Sequence, residues 1–161
     1  EKPKILGKLK IPGFSEYLHF YGEDRLLGIG MSTDEESGVA EGVKITMFNI
    51  SDRSDVKEES TLVLDDLYGS HAAYDYKSVL ADPEKNVIGL SGYSQNGESY
   101  YLLTYNRTDR KFDTILQEEV NGNTSQVIRG IYIEDTLYVI SGNIIEAYDM
   151  NTGVKSGDII L

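Results

Sequence analysis

The residues best suited to chemistry in this chain are its two histidines, His19 and His71, since the chain has no cysteine. Imidazole binds metal ions and transfers protons near neutral pH. Together with Asp75 or Asp66, the two histidines could hold a metal ion. A structural or surface histidine is the simpler interpretation, so we predict neither a metal nor any other cofactor.

Ser70, His71 and Asp75 have the residue types of a Ser-His-Asp catalytic triad. Members of a catalytic triad usually come from different structural elements, and these three residues are near neighbours in sequence. The chain also lacks the Gly-x-Ser-x-Gly pattern of a nucleophile elbow. We therefore predict no catalytic residue.

Paired carboxylates are the other arrangement that could carry chemistry, because glycosidases use two of them across a pocket. Three adjacent acidic pairs occur: Glu35-Glu36, Asp65-Asp66 and Glu118-Glu119. Adjacent residues on a strand point to opposite faces of a sheet, so these pairs are not catalytic dyads. We interpret them as solvated edges.

The charge of the chain restricts its partners. Asp and Glu number 27 against 15 Lys and Arg, a net charge of −12. Such a chain repels phosphate backbones, so we predict neither nucleic acid nor an anionic membrane surface as a partner. No apolar run has the length of a membrane span, so we also predict no membrane insertion.

The elements that must position these residues are strands. Short runs rich in Val, Ile, Leu and Tyr are separated by Gly, Asn, Asp and Ser, a pattern typical of many short strands. Three of the runs end on an aromatic residue followed by Asn or Asp: Phe48-Asn49, Tyr105-Asn106 and Tyr148-Asp149. Each then enters a polar turn, where an Asn or Asp side chain can bond the turning backbone.

This repeat predicts three four-stranded antiparallel meanders in tandem, each the size of a β-propeller blade. We place blade 1 at residues 14–64, blade 2 at 71–120 and blade 3 at 126–161. Residues 3–11 are expected to be the last strand of a preceding blade. The predicted fold class is all-β and propeller-like; a β-sandwich is the alternative, although it requires no such repeat.

The chain resembles secreted archaeal and bacterial proteins with a C-terminal β-propeller domain, distantly similar to WD repeats. The segments that carry the resemblance are residues 3–15, 17–19, 27–30 and 42–52, with Ala73-Tyr74-Asp75-Tyr76-Lys77. The resemblance implies a secreted or cell-envelope setting and a full-length propeller with more blades. It implies no general activity.

The number of blades also implies incompleteness. Closed propellers typically have four to eight blades, so three blades leave two apolar faces open. Either the chain is a fragment of a larger ring or it pairs with a second copy. In the second case a homodimer of six blades would complete the ring.

We predict a non-catalytic binding or scaffold module of an exported or cell-envelope protein, with a protein or a glycan as its partner. The expected surface consists of loops at one rim, chiefly 32–42, 65–75 and 92–98, because tyrosines there supply contact area at low entropic cost. The predicted contact residues are Tyr68, His71, Tyr74, Asp75, Tyr76, Tyr93 and His19, with Tyr100 in the same set of tyrosines.

The alternative function is a hydrolase-type enzyme whose central-channel site is completed by missing blades or by a second copy. His19 and Asp75 are the residues that favour this alternative. It predicts a pocket on which His19, His71 and Asp75 converge.

Overall fold

The structure is a computed structural model that describes residues 2–120 and 127–161. The described residues form three separate antiparallel meanders that follow one another along the chain, two of four strands and one of five. The predicted all-β fold of three antiparallel blades is confirmed. Among the described residues, no helix has the length and apolar character that crossing a membrane would require.

Blade 1 consists of four strands that pair in sequence order. They are β1 (Phe14–Phe20), β2 (Arg25–Thr33), β3 (Ala40–Asn49) and β4 (Lys57–Leu64). The β2–β3 hairpin is longer than expected, so the loop predicted at 32–42 shrinks to residues 34–39. Its tip is closed by Asp34, whose carboxylate accepts hydrogen bonds from the amide of Ser37 at 2.8 Å and from its hydroxyl at 2.7 Å.

Blade 2 differs from the prediction at its innermost strand. Its strands are β5 (Gly69–Ser70), β6 (Leu80–Asp82), β7 (Val87–Ser94), β8 (Gly97–Asn106) and β9 (Lys111–Glu119). Both β5 and β6 pair with β7, so one inner strand is divided in two. The prediction of four strands per blade did not include this division, and the sheet begins at Gly69 rather than at residue 71.

Two short 3-10 turns, His71–Ala73 and Tyr76–Ser78, separate the halves of this inner strand. Each begins at a side-chain cap: Ser70 accepts a hydrogen bond from the amide of Ala72, and Asp75 accepts one from the amide of Lys77 at 2.9 Å. Such caps satisfy amides that a short turn leaves unpaired. The interruption carries His71, Tyr74 and Asp75 out of the sheet.

Blade 3 consists of β10 (Arg129–Ile133), β11 (Thr136–Ser141), β12 (Ile144–Asp149) and β13 (Lys155–Ile160). Its predicted start, residue 126, lies outside the described residues. The β11–β12 loop consists of Gly142 and Asn143 alone.

The turns after the third strand have the predicted chemistry in all three blades. Asn49 accepts a hydrogen bond from the amide of Ser51 at 3.0 Å, and Asn106 accepts one from the amide of Thr108 at 2.9 Å. Asp149 accepts bonds from the amides at 151 and 152, both at 2.9 Å. The repeated aromatic-then-Asn/Asp pattern therefore marks three equivalent turns.

Two hydrophobic clusters hold the blades together, and blade 2 contributes to both of them. Along β8 the side chains alternate between the sheet faces, so Tyr101 and Leu103 enter the cluster shared with blade 1, whereas Tyr100 and Leu102 enter the cluster shared with blade 3. A strand buried on both faces is apolar at every position, which explains the unbroken run at residues 100–103.

The outward faces of blades 1 and 3 stay open. Leu18 and Phe20 of β1 are 55% and 67% exposed, and Ile131 and Ile133 of β10 are 49% and 62% exposed. Large apolar side chains that stand together on a sheet face are normally covered. In a closed ring, these two faces are the ones that adjacent blades would contact.

Residues 3–11, expected to be the last strand of a preceding blade, belong to none of the three sheets. A strand is defined by a hydrogen-bonded neighbour, and the described residues contain no strand that pairs with this segment. Instead, Leu9 and Ile11 line an apolar groove of about 260 Å³ with Leu18 and Phe48. The segment thus lies along the open face of blade 1.

Candidate binding site at one end of blade 2

The candidate site surrounds the β7–β8 hairpin. Its turn consists of Gln95 and Asn96, and the ladder pairs Ser94 with Gly97 and Tyr93 with Glu98. Corresponding strands run in the same direction in all three blades. The turns between second and third strands therefore lie at one end of the blades. The turns between first and second strands lie at the opposite end.

A cleft of about 670 Å³ opens beside this hairpin. It is lined by Asp66, Tyr68, Ser94, Gln95, Asn96, Gly97, Ser99, Gln117, Glu118 and Glu119. Among the described residues, this lining has three carboxylates and no lysine or arginine, so the cleft is acidic. Asp66 is held in place by the hydroxyl of Tyr101, which donates to its carboxylate at 2.8 Å. The cleft can attract a cationic ligand.

Four of the predicted contact tyrosines are exposed, and two of them, Tyr68 and Tyr93, lie at this end. Tyr68, Tyr74 and Tyr76 are each more than 60% exposed, and Tyr93 is 38% exposed. Tyr68 lines the cleft directly. Tyr100 does not belong to this surface: it is completely buried between blades 2 and 3, because β8 is covered on both faces.

His71 is buried beneath the exposed tyrosines. Its Nδ1 lies 2.7 Å from the hydroxyl of Ser91, and its Nε2 lies 3.5 Å from a carboxylate oxygen of Glu98. Ser91, His71 and Glu98 thus form a serine–histidine–carboxylate series, as in the catalytic triad of a hydrolase. Ser91, however, is completely buried and lies 3.3 Å from the carbonyl oxygen of Ile128, to which its hydroxyl can donate. A serine closed off in this way cannot attack a substrate.

His19 and Asp75 have separate surroundings. The hydroxyl of Tyr17 lies 2.9 Å from Nδ1 of His19, and the two rings are stacked. Asp75 caps a 3-10 turn and accepts a hydrogen bond from Arg129 of blade 3 at 3.3 Å.

Within residues 2–120 and 127–161, no side-chain hydrogen bond or ion pair joins His19, His71 and Asp75 to one another. His71 and Asp75 are joined through the backbone, where the amide of Asp75 donates to the carbonyl oxygen of His71 at 2.9 Å. The described part of the chain also has no group of three or more His, Asp and Glu side chains arranged to hold a metal ion. The hydrolase alternative predicts a pocket on which the two histidines and Asp75 converge, and these contacts do not provide one.

Sequence reasoning missed Glu98, which the structure places against His71. A usable signal was present, because a two-residue turn at Gln95-Asn96 sets Glu98 opposite Tyr93 on the same face. The pair Glu118-Glu119 is solvent-exposed, as interpreted from the sequence, but it also lines the cleft.

Comparison with known proteins agrees with the fold. The family model described as "Beta propeller domain" matches residues 1–153, so the chain belongs to the β-propeller domain family.

Two curated relatives match most of the chain. An uncharacterized protein of Archaeoglobus fulgidus is 37% identical over all 161 residues, which cover 23% of that protein. An uncharacterized protein of Methanocaldococcus jannaschii is 32% identical over 151 residues, which are 94% of this chain and 22% of that protein. The chain therefore spans less than a quarter of the length of these relatives.

Among solved structures, the chain is similar to Sqt1 of Saccharomyces cerevisiae, with a TM-score of 0.51 and 11% identity. The alignment covers 93% of this chain and 50% of Sqt1. At this level of identity the similarity concerns the fold alone.

Proposed function

We propose that this chain is a non-catalytic protein-binding module that binds a basic segment of a partner at the β7–β8 end of blade 2. The observation that carries the proposal is the cleft of about 670 Å³, which Asp66, Glu118 and Glu119 line and to which the described residues contribute no basic side chain. Opposite charges across an interface speed association and determine which partners are accepted.

The exposed tyrosines support a protein partner. Tyr68 in the cleft and Tyr93 on the adjacent hairpin offer flat apolar surface with a polar hydroxyl. Such side chains are enriched where proteins contact each other. The net charge of −12 favours a basic partner over an acidic one.

The proposal also includes a setting and a second copy. The resemblance to secreted propeller proteins supports an exported or cell-envelope protein. The open faces of blades 1 and 3 support a homodimer, because two copies would supply six blades, a number found in closed propellers.

Binding of a short lysine-rich peptide, measured by fluorescence anisotropy, tests the proposed function. The double variant Glu118→Gln/Glu119→Gln removes two charges from the cleft while keeping the size of both side chains. We expect it to weaken binding by about tenfold, and the affinity of the unaltered chain to fall as salt is added.

The matched control is Glu84→Gln/Glu134→Gln, which removes two exposed charges at the opposite end of the blades. It leaves the cleft unchanged, so we expect it to bind as the unaltered chain does. Equal losses in both double variants would show a net-charge effect and contradict a site at the cleft. Absence of peptide binding to the unaltered chain would overturn the proposed function.

A further inference from the structure

His71 is the centre of a second group of side chains on the other face of the β7–β8 hairpin. Gly97 and Ser99 line the cleft, whereas Glu98, between them on the strand, has its side chain beside His71. The histidine is 4% exposed and is held on its other nitrogen by Ser91. Its ring is therefore held in a fixed position among the side chains around it.

The carboxylate of Glu98 can accept a further hydrogen bond. Its side chain is 13% exposed, and one oxygen lies 3.5 Å from Nε2 of His71. The other oxygen has no hydrogen-bond partner within residues 2–120 and 127–161. A buried acceptor left without a donor costs free energy, and an incoming N–H group would recover that cost.

No lysine or arginine in the described part of the chain forms an ion pair with Glu98. Arg129, a basic side chain of blade 3, is paired with Asp75 at 3.3 Å. The carboxylate of Glu98 is therefore still available to a cation from outside the chain.

Tyr74 and Tyr93 flank the histidine. Their ring centres lie 5.6 Å and 6.0 Å from that of His71, the first in an edge-on arrangement. Tyr93 is directly opposite Glu98 in the ladder. Burial, followed by the nearby Tyr93 phenol and Glu98 carboxylate, raises the pKa of Tyr74, so its ring stays a neutral phenol at pH 7. Neutral phenol faces attract cations.

We infer that Tyr74, Tyr93 and Glu98 form a receptor for a single cationic side chain, lysine or arginine, of the partner. The inference rests on the proposed function. It assigns one cationic side chain of the partner's basic segment to a specific pocket. The cation's methylenes would lie on the exposed tyrosine rings while its N–H groups meet the unpaired oxygen of Glu98. A segment that crosses the hairpin tip at Gln95–Asn96 would then reach both the cleft and this receptor.

Peptide binding to three variants of the 161-residue chain tests the receptor. With the lysine-rich peptide used for the cleft, Glu98→Gln should weaken binding by about tenfold, because the charge is lost. Tyr74→Leu should weaken it by about fivefold, because the cation loses an aromatic face. The control Tyr74→Phe keeps the ring and should bind nearly as the unaltered chain does.

The same peptide with each lysine acetylated should bind the unaltered chain weakly and should no longer distinguish Glu98→Gln from it. Thermal unfolding of each variant shows whether the fold is kept. If Glu98→Gln unfolds, the comparison of Tyr74→Leu with Tyr74→Phe still decides the question, because Tyr74 is 65% exposed.

If Glu98→Gln and Tyr74→Leu bind as the unaltered chain does while Glu118→Gln/Glu119→Gln loses affinity, the receptor is overturned and the proposed function stands. If the unaltered chain binds no basic peptide, both are overturned.

Discussion

The hydroxyl of Tyr100, on β8 of blade 2, occupies the position where Gly130, on β10 of blade 3, would carry a side chain. A Cβ atom placed on Gly130 would lie 1.8 Å from that oxygen and 2.5 Å from the ring carbon that bears it. The same hydroxyl lies close to Gly89 of β7, where an added Cβ atom would be 2.2 Å from the oxygen. The close approach of blades 2 and 3 therefore depends on these two glycines and on the tyrosine between them.

Gly130→Ala is expected to lower the free energy of unfolding by about 2 kcal/mol, because the added methyl group overpacks the interface of blades 2 and 3. Urea unfolding measures the change. The control Gly157→Ala lies on β13, where no atom of the described residues is within 4 Å of the added carbon, and should change stability little. Equal effects of the two substitutions would show that the loss reflects strand propensity and not the clash with Tyr100.

Tyr100→Phe is expected to leave the free energy of unfolding unchanged or to raise it by up to about 1 kcal/mol. The hydroxyl is completely buried and has no partner among the described residues, so its removal relieves an unsatisfied group. In combination with Gly130→Ala it should recover part of the loss, with a coupling of about 1 kcal/mol. Strictly additive effects in a double-mutant cycle would contradict the proposed contact.

Arg25→Met should destabilise the chain by about 3 kcal/mol at pH 7, because it leaves the buried carboxylate of Glu59 without its main partner. The guanidinium donates to Glu59 at 2.6 and 3.0 Å, and the two side chains are 10% and 5% exposed. Burial raises the pKa of Glu59, but the hydrogen bonds and charge of Arg25 outweigh burial and set that pKa below its usual value.

The pH dependence follows from the direction of this pKa shift. A pKa lowered by folding contributes stability above the unfolded value of about 4.3, and the contribution is lost as pH falls through the lower folded pKa. In Arg25→Met the unpaired Glu59 takes up a proton in mild acid, so the loss should be smaller at pH 4 than at pH 7. Urea unfolding at both values tests this, with Lys57→Met as the exposed-pair control. A loss that does not depend on pH would contradict the role of the ion pair.

The open faces of blades 1 and 3 should make the chain associate as its concentration rises, which sedimentation velocity can follow. Leu18→Asp places a charge on the open face of blade 1 and should weaken association by at least about tenfold. Val39→Asp, at a side chain 63% exposed in the β2–β3 loop, is the matched control. A chain that remains monomeric at the highest attainable concentration would contradict the homodimer.

Local features of the fold could be predicted from the sequence because their causes are local. The turn at Asn106 depends on one side chain and the two amides that follow it, at 2.9 and 3.1 Å, and the same chemistry recurs at Asn49 and Asp149. Short apolar runs between turn residues likewise predicted the strands of blade 1, whose core positions alternate along the chain.

The division of the inner strand in blade 2 could not be predicted in this way. It depends on the contacts that Ser70 and His71 make with Ser91, about twenty residues further along the chain. The same applies to Glu98, which gains its role only when the hairpin brings it to His71. The loops expected at 65–75 and 92–98 do supply Tyr68 and the hairpin tip to the cleft, and residues 117–119 at the end of β9 complete its lining.

Both hydrophobic clusters include residues of blade 2, and this determines the order in which the blades unfold. Each outer blade has one covered face and can open alone, as terminal units do in a linear array of repeats. Opening blade 2 would disrupt both clusters at once, so its amides report the global unfolding free energy. In hydrogen exchange, β13, exposed along its whole length, should exchange first and β8 last. Cooperativity thus spreads outward from the middle blade, and the ends fray without disturbing the centre.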